Sequence, residues 1–219
     1  MNTLSHPIHP IFRQNALLLV AFIGFWIGGH VQPGLDAIEN ISEIMRSHPN
    51  DAESYFLRAE AKSELGDLKG AIADLSRAIE CDTSYTDAYF WRADALAALG
   101  NYHAALIDYN SVLKANESIH ATHERIGTIE ETLGDTASAL NELDLAVSSD
   151  PTCPRVFDKR GAILARIGKT QSAMSDYNQA IKLDPKYSGT HRRRGFLRLR
   201  MGDYGGAVQD LVKHAFLKD

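Results

Sequence analysis

A unit of 34 residues repeats five times between Ala52 and Asp219, and this period constrains the fold more than any other feature of the sequence. At every period a large apolar residue is followed directly by a glycine, and no copy contains an insertion. The five pairs are Leu65-Gly66, Leu99-Gly100, Leu133-Gly134, Ile167-Gly168 and Met201-Gly202. A fixed period of this length is typical of a repeat array, in which neighbouring copies stack to bury one continuous core.

Each copy contains two segments with the apolar spacing of an amphipathic helix. The glycine of each pair follows the first segment, where a helix end often requires a left-handed residue. A small residue at one fixed position allows two helices to approach closely, and its occupants are Ala59, Ala93, Gly127, Gly161 and Gly195. With 44% apolar and 23% charged residues, the composition is that of an ordinary folded protein. The sequence therefore predicts an all-α fold of stacked helix–turn–helix units.

The combined pattern of small, large, glycine and proline positions resembles the tetratricopeptide repeat over the whole of Ala52–Asp219. This resemblance implies a right-handed α-solenoid of five full repeats, at 52–85, 86–119, 120–153, 154–187 and 188–219. Upstream, a break at Pro33-Gly34 precedes a segment with Leu35, Ile38, Ile41 and Ile44 on one helical stripe. The repeat frame extends into this segment, so residues 35–51 are predicted to form a half repeat that caps the array.

The N-terminal region combines a polar segment, residues 1–15, with an uncharged apolar run, residues 16–31. We favour a hydrophobic helix that anchors the protein in a membrane. The alternatives are the apolar region of a cleaved signal peptide, which would leave a soluble secreted or periplasmic protein, and a buried core helix. Arg13 precedes the run and acidic residues follow it, so both membrane interpretations place the repeats on the non-cytoplasmic side.

Four pairs of an arginine and an aspartate recur with a separation of 16 residues. Each arginine lies in the first predicted helix of its repeat and each aspartate in the second, which predicts an ion pair that holds the two helices together. The third repeat has Ile126 and Glu142 at these positions, so we expect this pair to be missing there. The four pairs are Arg58 with Asp74, Arg92 with Asp108, Arg160 with Asp176, and Arg194 with Asp210.

The resemblance further implies that a protein or peptide partner binds in a concave groove lined by the first helices. The first three repeats are net acidic and the last two net basic, so the groove should be charge-polarised. Phe56 and Phe90 would serve as its apolar anchors. The groove residues expected by position are Glu53, Phe56, Glu60, Asp87, Phe90, Asp94, Glu124, Glu131, Arg155, Arg166, Arg192, Phe196 and Arg200.

Other classes of site find little support in the sequence. The lysine and asparagine clamp with which some members of the family bind chaperone tails is not present at the matching positions of the first three repeats. No catalytic constellation, cofactor motif or metal-ligand spacing stands out, so we expect no catalytic residue, no cofactor and no metal. With a net charge of −5, a nucleic-acid partner is not expected either.

These observations predict a non-catalytic scaffold or adaptor that binds a protein partner at a membrane surface and supports assembly of a complex. A soluble adaptor released by signal cleavage is the alternative, and an accessory subunit of an enzyme complex is a more distant one. The final helix adds one more expectation. Its apolar residues could form an end face for self-association, and they are Val208, Leu211, Val212, Ala215, Phe216 and Leu217.

Overall fold

The computed structural model describes residues 33–217, which form eleven α-helices. The predicted hydrophobic segment 16–31 and the polar residues before it lie outside this range. Among the described residues, no helix combines the length and the apolar character needed to span a bilayer. The helices are α1 Pro33–Ser47, α2 Ala52–Glu64, α3 Leu68–Cys81, α4 Thr86–Ala98, α5 Tyr102–Lys114, α6 Ile119–Leu133, α7 Thr136–Ser149, α8 Pro154–Arg166, α9 Thr170–Leu183, α10 Ser188–Arg200 and α11 Tyr204–Phe216.

The ten helices from α2 onward form the five predicted repeats, each with a first and a second helix. In repeats 1, 3, 4 and 5 the first helix packs against the second helix of its own repeat. The all-α helix–turn–helix fold is therefore confirmed over the described range. The chain divides into two compact units, the first ending at Ser111 and the second beginning at Val112. Each unit is described separately below.

The turn between the two helices of a repeat depends on a glycine and, in three repeats, on an aspartate. The glycine that follows each first helix has a φ between +80° and +89°, a left-handed conformation that strains a residue with a Cβ atom. In repeats 1, 3 and 5 an aspartate next to this glycine caps the second helix; Asp67, for example, accepts a hydrogen bond from Gly70 N at 2.9 Å. The same local chemistry therefore ends one helix and begins the next.

Close packing between the two helices depends on the predicted small residue. In repeat 4 a Cβ atom built on Gly161 would lie 2.8 Å from the Tyr177 ring, closer than a carbon contact allows. Ala59 and Ala93 fill the same position in repeats 1 and 2 and are fully buried. The large partner residue is buried in repeats 1 to 4, where it is Leu75, Tyr109, Leu143 or Tyr177.

Helix α1 departs from the prediction in its start and in its buried face. The expected break at Pro33-Gly34 is wrong, because the helix begins at Pro33; proline suits a first helical position, where its missing N–H is not needed. The apolar stripe is also shifted, since Ile44 is exposed and Met45 is buried instead. Helix α1 packs on α2, and the side that faces α2 carries Ala37, Ile41 and Met45 at spacings of four residues.

Candidate functional site

The arginine–aspartate pairs are the first set of predicted residues that the structure brings together. Each arginine donates two parallel hydrogen bonds to the aspartate of its own repeat, from Nε and from Nη2. Such bidentate bonds between charged groups are stronger than bonds between neutral groups. The aspartates are buried, so these pairs belong to the framework that carries the first helices. The shortest N–O distances are 2.6 Å for Arg58–Asp74, 2.7 Å for Arg92–Asp108, 2.7 Å for Arg160–Asp176 and 2.6 Å for Arg194–Asp210.

The same arginines also contact a third helix, and this contact was not among the predictions from the sequence. In each case Nη1 binds a polar residue on the second helix of the preceding repeat, or on α1 in the case of Arg58. The signal was available, because these acceptors follow the repeat period and stand 16 residues before their arginine. The contacts are Arg58 to Ser42 at 3.2 Å, Arg92 to Ser76 at 3.0 Å, Arg160 to Asp144 at 2.8 Å and Arg194 to Asn178 at 2.7 Å. One guanidinium therefore joins three helices.

Repeat 3 uses a different pair at this position. Ile126 is buried where the other repeats have arginine, and Glu142 contacts His123 instead, with 2.7 Å between Oε2 and Nδ1. His123 occupies the position at which Tyr55, Tyr89 and Phe157 lie against the guanidinium of their own repeat. The first and second helices of repeat 3 are therefore joined by histidine and glutamate rather than by arginine and aspartate.

The ion pairs also set the protonation of two aspartates. Burial alone would raise the pKa of Asp74, but hydrogen bonds from Arg58 and Lys62 outweigh it and hold that pKa below its usual value. The pKa of Asp210 is lowered in the same way, by Arg194, His191 and Arg198 against the effect of burial. Both carboxylates are therefore ionised in the folded protein at neutral pH.

In the first unit, the predicted apolar anchors are not exposed side chains. Phe56 is wrong as an accessible anchor: it is 1% exposed and packs in the core, with its ring centroid 5.2 Å from that of Tyr85. Phe90 is half-buried and meets the ring of Tyr109 edge-on at 5.7 Å. Both phenylalanines contact tyrosines of adjacent segments, which is why they are withdrawn from solvent. The exposed aromatic residue of this face is Trp91, next to Phe90 in the sequence.

Acidic side chains dominate the first helices of this unit. Glu53 accepts a hydrogen bond from the Tyr85 hydroxyl, and Asp94 accepts one from the Tyr109 hydroxyl. Asp87 is half-buried at the start of α4. The cations of these helices lie against the second helices, where Arg58, Lys62 and Arg92 are paired with aspartates. The exposed side of α2 and α4 is therefore negatively charged, as the sequence predicted for this part of the chain.

A cleft opens between α2 and α4 on this acidic side, and we call it the Glu60–Trp91 cleft. It encloses about 170 Å³, including space open to solvent. Its floor is apolar and its polar lining comes from Glu60 and Ser63. One oxygen of Glu60 is buried at its wall. The six lining residues are Phe56, Ala59, Glu60, Ser63, Leu75 and Trp91.

In the second unit, the predicted groove carboxylate Glu124 is buried. Glu124 is 1% exposed and contacts Arg155 Nη2 at 2.7 Å and Lys159 Nζ at 2.9 Å. Lys159 Nζ and Glu124 Oε1 are close enough to form an ion pair, but their alignment is not that of a hydrogen bond. Glu124 was expected in an accessible groove and is instead a link between α6 and α8. A buried carboxylate requires such partners, since an unpaired charge is costly in the interior.

Asp158 repeats this arrangement one repeat later. It is 1% exposed, accepts a hydrogen bond from Thr190 Oγ1 at 2.9 Å and pairs with Arg193 Nη1 at 2.5 Å. Glu131 and Arg166 form a more exposed pair at 3.2 Å. The acidic and basic first helices of this unit therefore neutralise each other in part, which the charge count alone did not predict.

Three residues of α10 remain on the exposed side at spacings of four residues. Arg192 and Arg200 are exposed and flank Phe196, which keeps 53% of its surface in solvent. Arg200 reaches the carbonyl oxygen of Ala165 only at 3.5 Å. Two other arginines of this helix are engaged, because Arg194 and Arg198 both contact Asp210. An aromatic side chain between two cations is thus the main exposed feature of this helix.

Comparison with known families supports the repeat assignment. A sequence profile described as TPR repeat matches residues 59–100. A second profile, described as tetratricopeptide repeat, matches residues 86–119 and 154–187. These two ranges coincide with the second and fourth repeats as bounded from the sequence. No curated protein sequence matches the chain.

Several solved structures share the fold. YrrB, described as a TPR protein with an unusual peptide-binding site, superposes with a TM-score of 0.64 at 22% identity and covers 83% of this chain and 93% of its own. A fragment of MamA from Desulfovibrio magneticus RS-1 gives 0.67 at 22% identity, over 76% of this chain and 94% of its own. PilF of Pseudomonas aeruginosa gives 0.68 at 19% identity, over 75% of each chain. At these identities the likeness concerns the fold alone.

Proposed function

We propose that this chain, a tetratricopeptide-repeat protein, is a non-catalytic scaffold. It binds a protein partner through the exposed sides of its first helices. The observation that carries the proposal is the pair of exposed aromatic residues on those helices. Trp91 is 39% exposed and Phe196 53% exposed, and both lie among charged side chains. Tryptophan and arginine are enriched at the energetic centres of protein interfaces.

The framework beneath these residues supports the same function. Arginine–aspartate pairs hold the first helices of repeats 1, 2, 4 and 5 by charged, largely buried contacts. A rigid surface binds with less loss of conformational freedom than a mobile one. The fold shared with YrrB, which is described as having a peptide-binding site, is consistent with this use. The protein would support the assembly of a complex if each of its two units bound a different segment of the partner.

The test is co-purification with variants that change exposed charges only. One variant carries Glu64→Lys, Arg166→Glu and Arg200→Glu, all on first helices and all exposed. The matched control carries Arg77→Glu, Glu80→Lys and Lys182→Glu, which lie exposed on second helices. We expect the first variant to lose partners that the control retains. Retention by the first variant and loss by the control would contradict the proposal, because it would assign binding to the second helices.

The membrane location forms a separate part of the proposal. It is supported by the apolar run 16–31, which has Arg13 before it and the acidic residues Asp36 and Glu39 after it. The intact mass of the protein recovered from cells distinguishes an anchor from a cleaved signal. An uncleaved protein that stays in the membrane pellet at alkaline pH agrees with an anchor. An uncleaved protein in the supernatant would contradict both membrane interpretations.

A further inference from the structure

The contacts between neighbouring first helices of the second unit follow one pattern. The fifth residue of a repeat is a buried carboxylate, and it contacts a cation on the next first helix. In repeat 3 this carboxylate is Glu124, which contacts Arg155 and Lys159 on α8. In repeat 4 it is Asp158, which contacts Arg193 on α10. A carboxylate therefore meets a cation wherever two first helices of this unit adjoin.

Repeat 5 departs from this pattern, because its fifth residue is Arg192. Arg192 is exposed and forms no ion pair or hydrogen bond with any residue of the described range 33–217. Phe196 and Arg200 follow at spacings of four residues, so the three side chains lie on one side of α10. We call these three residues the α10 strip.

The α10 strip occupies the edge that a following first helix covers in the earlier repeats. Phe196 is equivalent in position to Thr128 of repeat 3, which accepts a hydrogen bond from Lys159 Nζ on the next first helix at 2.8 Å. Within the described range no further first helix follows α10. The strip is therefore the open edge of the first helices in this unit, with 53% of Phe196 in solvent.

The side chains of the strip determine which ligand chemistry fits this edge. Two guanidinium groups favour carboxylates, which they bind by charged and often bidentate hydrogen bonds. The buried aspartates that contact α10, Asp158 and Asp210, are already paired with other arginines of this helix. Phe196 lies between the two cations and favours an apolar group, because contact removes its exposed ring from water. The ligand that fits is anionic at both ends and apolar between them.

We propose that the α10 strip binds an acidic segment of the partner protein. One carboxylate of the segment lies at Arg192, a second at Arg200, and an apolar side chain between them packs on Phe196. A carboxylate of the partner thus continues the carboxylate–cation contacts of repeats 3 and 4. A single row of three residues is narrow for a lipid surface, which binds broad apolar helix faces. This inference rests on the proposed function and names the chemistry of the partner segment that the second unit recognises.

The geometry of the strip also sets the spacing of the partner's side chains. Arg192 and Arg200 are eight residues apart on a helix, which separates their Cα atoms by about 12 Å. An extended segment covers about 13 Å in four residues, and its alternate side chains share one face. The pattern expected in the partner is therefore an acidic residue, any residue, an apolar residue, any residue and a second acidic residue.

The experiment titrates the full chain into the peptide Ser-Glu-Ser-Leu-Ser-Glu-Ser, which has blocked ends and an uncharged dye on a flexible linker. Binding is read as fluorescence anisotropy at physiological salt. The matched reference peptide is Ser-Ser-Glu-Leu-Glu-Ser-Ser, which has the same composition and charge. In an extended conformation its leucine lies on the face opposite to its glutamates. We expect saturable binding of the first peptide and about fivefold weaker binding of the reference.

Variants of the strip and one matched control locate the site. Arg192→Gln and Arg200→Gln should each weaken binding of the first peptide about fivefold, because each removes one charged contact. Phe196→Ser should weaken it by about the same factor, because the apolar contact is lost. Lys182→Gln removes the same charge from an exposed position on α9, a second helix of the same unit, and should change binding less than twofold. All four residues are exposed, so every variant should keep the urea midpoint of the parent protein.

A reversal of charge separates direct contact from a change in surface shape. The double variant Arg192→Glu, Arg200→Glu should bind the peptide with lysines in place of glutamates more tightly than the acidic peptide. A double variant that binds neither peptide would contradict a contact between these two side chains and the charges of the ligand.

Three other results would overturn the inference. Equal weakening by Lys182→Gln and Arg192→Gln would reduce the effect to general attraction by a basic unit. Equal affinity for the two acidic peptides would remove the spacing that the strip imposes. Absence of peptide binding, together with retention on phosphatidylserine vesicles that phosphatidylcholine vesicles do not show and that Arg192→Gln abolishes, would assign the strip to a lipid surface.

The inference and the proposed function fail in different experiments. None of these peptide results changes the exposed sides of α2 and α4, so co-purification through first helices can persist when the acidic peptide does not bind. Conversely, partners that the first-helix variant retains and the second-helix control loses would contradict the proposed function, while binding of the acidic peptide to the α10 strip would stand.

Discussion

Removal of Arg92 tests the role of the three-helix arginine contacts in one step. Arg92 donates two hydrogen bonds to Asp108, at 2.7 and 2.8 Å, and a third to Ser76 at 3.0 Å. The Arg92→Met variant retains much of the side-chain volume and leaves Asp108 buried, at 4% exposure, without its charged partner. Removing one member of a buried pair costs about 3–5 kcal/mol, because the remaining charge is stranded.

The structure places the expected cost at the lower end of that range. The Arg92 side chain keeps 21% of its surface exposed, so water reaches part of the pair and screens it. We therefore expect a loss of about 3 kcal/mol for Arg92→Met. The double variant Arg92→Met, Asp108→Leu should recover most of this loss, because it removes the stranded charge as well. Its net effect should be within about 1.5 kcal/mol of the parent protein.

The assay is urea unfolding followed by the fluorescence of Trp91, which adjoins Arg92 on α4. A Trp26→Phe background leaves Trp91 as the single tryptophan and makes this signal specific to the first unit. Arg77→Ala serves as the control, since Arg77 pairs with Glu80 on the surface and should contribute no more than about 0.5 kcal/mol. Equal effects of Arg92→Met and Arg77→Ala would mean that the Arg92–Asp108 pair contributes no more than an exposed pair. A double variant less stable than Arg92→Met would mean that a stranded Asp108 charge is not the cause of the loss.

Three further predictions concern pH, helix ends and self-association. The folded-state pKa values of Asp74 and Asp210 lie below the unfolded value of about 3.9. The stability that these two aspartates contribute is therefore present above that pH, and it is lost as the pH falls through their folded-state pKa values. Acid titrations of unfolding should therefore be shallower for Asp74→Asn and Asp210→Asn than for the parent, and equal slopes would contradict the assignment. Gly100→Ala should destabilise the fold by about 1 kcal/mol because the φ of Gly100 is +80°. Gly205→Ala should instead stabilise it by about 0.5–1 kcal/mol, because Gly205 lies within α11 and a Cβ atom added there would meet open space. Denaturant midpoints check both signs. The apolar side chains of α11 are exposed at Val208, Val212 and Phe216, so sedimentation should show concentration-dependent association that Val212→Asp abolishes, and a concentration-independent monomer would exclude it.

The repeat fold could be predicted in detail because the sequence repeats its structural requirements at every period. The position of Gly100 required a left-handed residue, and the constant spacing of Arg92 and Asp108 placed them on facing helices. Both predictions depend on local geometry that is the same in every copy. The start of α1 could not be read in the same way, since proline is compatible with both a break and a first helical turn.

The candidate site was less predictable, because surface exposure depends on which neighbour covers each residue. Position alone assigned Phe56 and Glu124 to an accessible groove, and both are buried by contacts with the following segment. Tyr85 covers Phe56, and Arg155 with Lys159 neutralises Glu124. A comparison of residues 35 positions apart would have revealed the Glu124–Lys159 and Asp158–Arg193 pairs. The framework arginines were predictable from spacing within a repeat, whereas these links require spacing between repeats.

Site-specific photocrosslinking in the cells that produce the protein shows which helices contact the partner. A photoreactive residue is placed at Glu64, Trp91, Arg166 or Phe196 on the first helices, and at Arg77, Ile107, Leu145 or Lys182 on the second helices. If the first helices bind the partner, the same partner is captured from first-helix positions and not from second-helix positions. Capture from second-helix positions alone would contradict first-helix binding, because the partner would then lie on the opposite helices of the repeats.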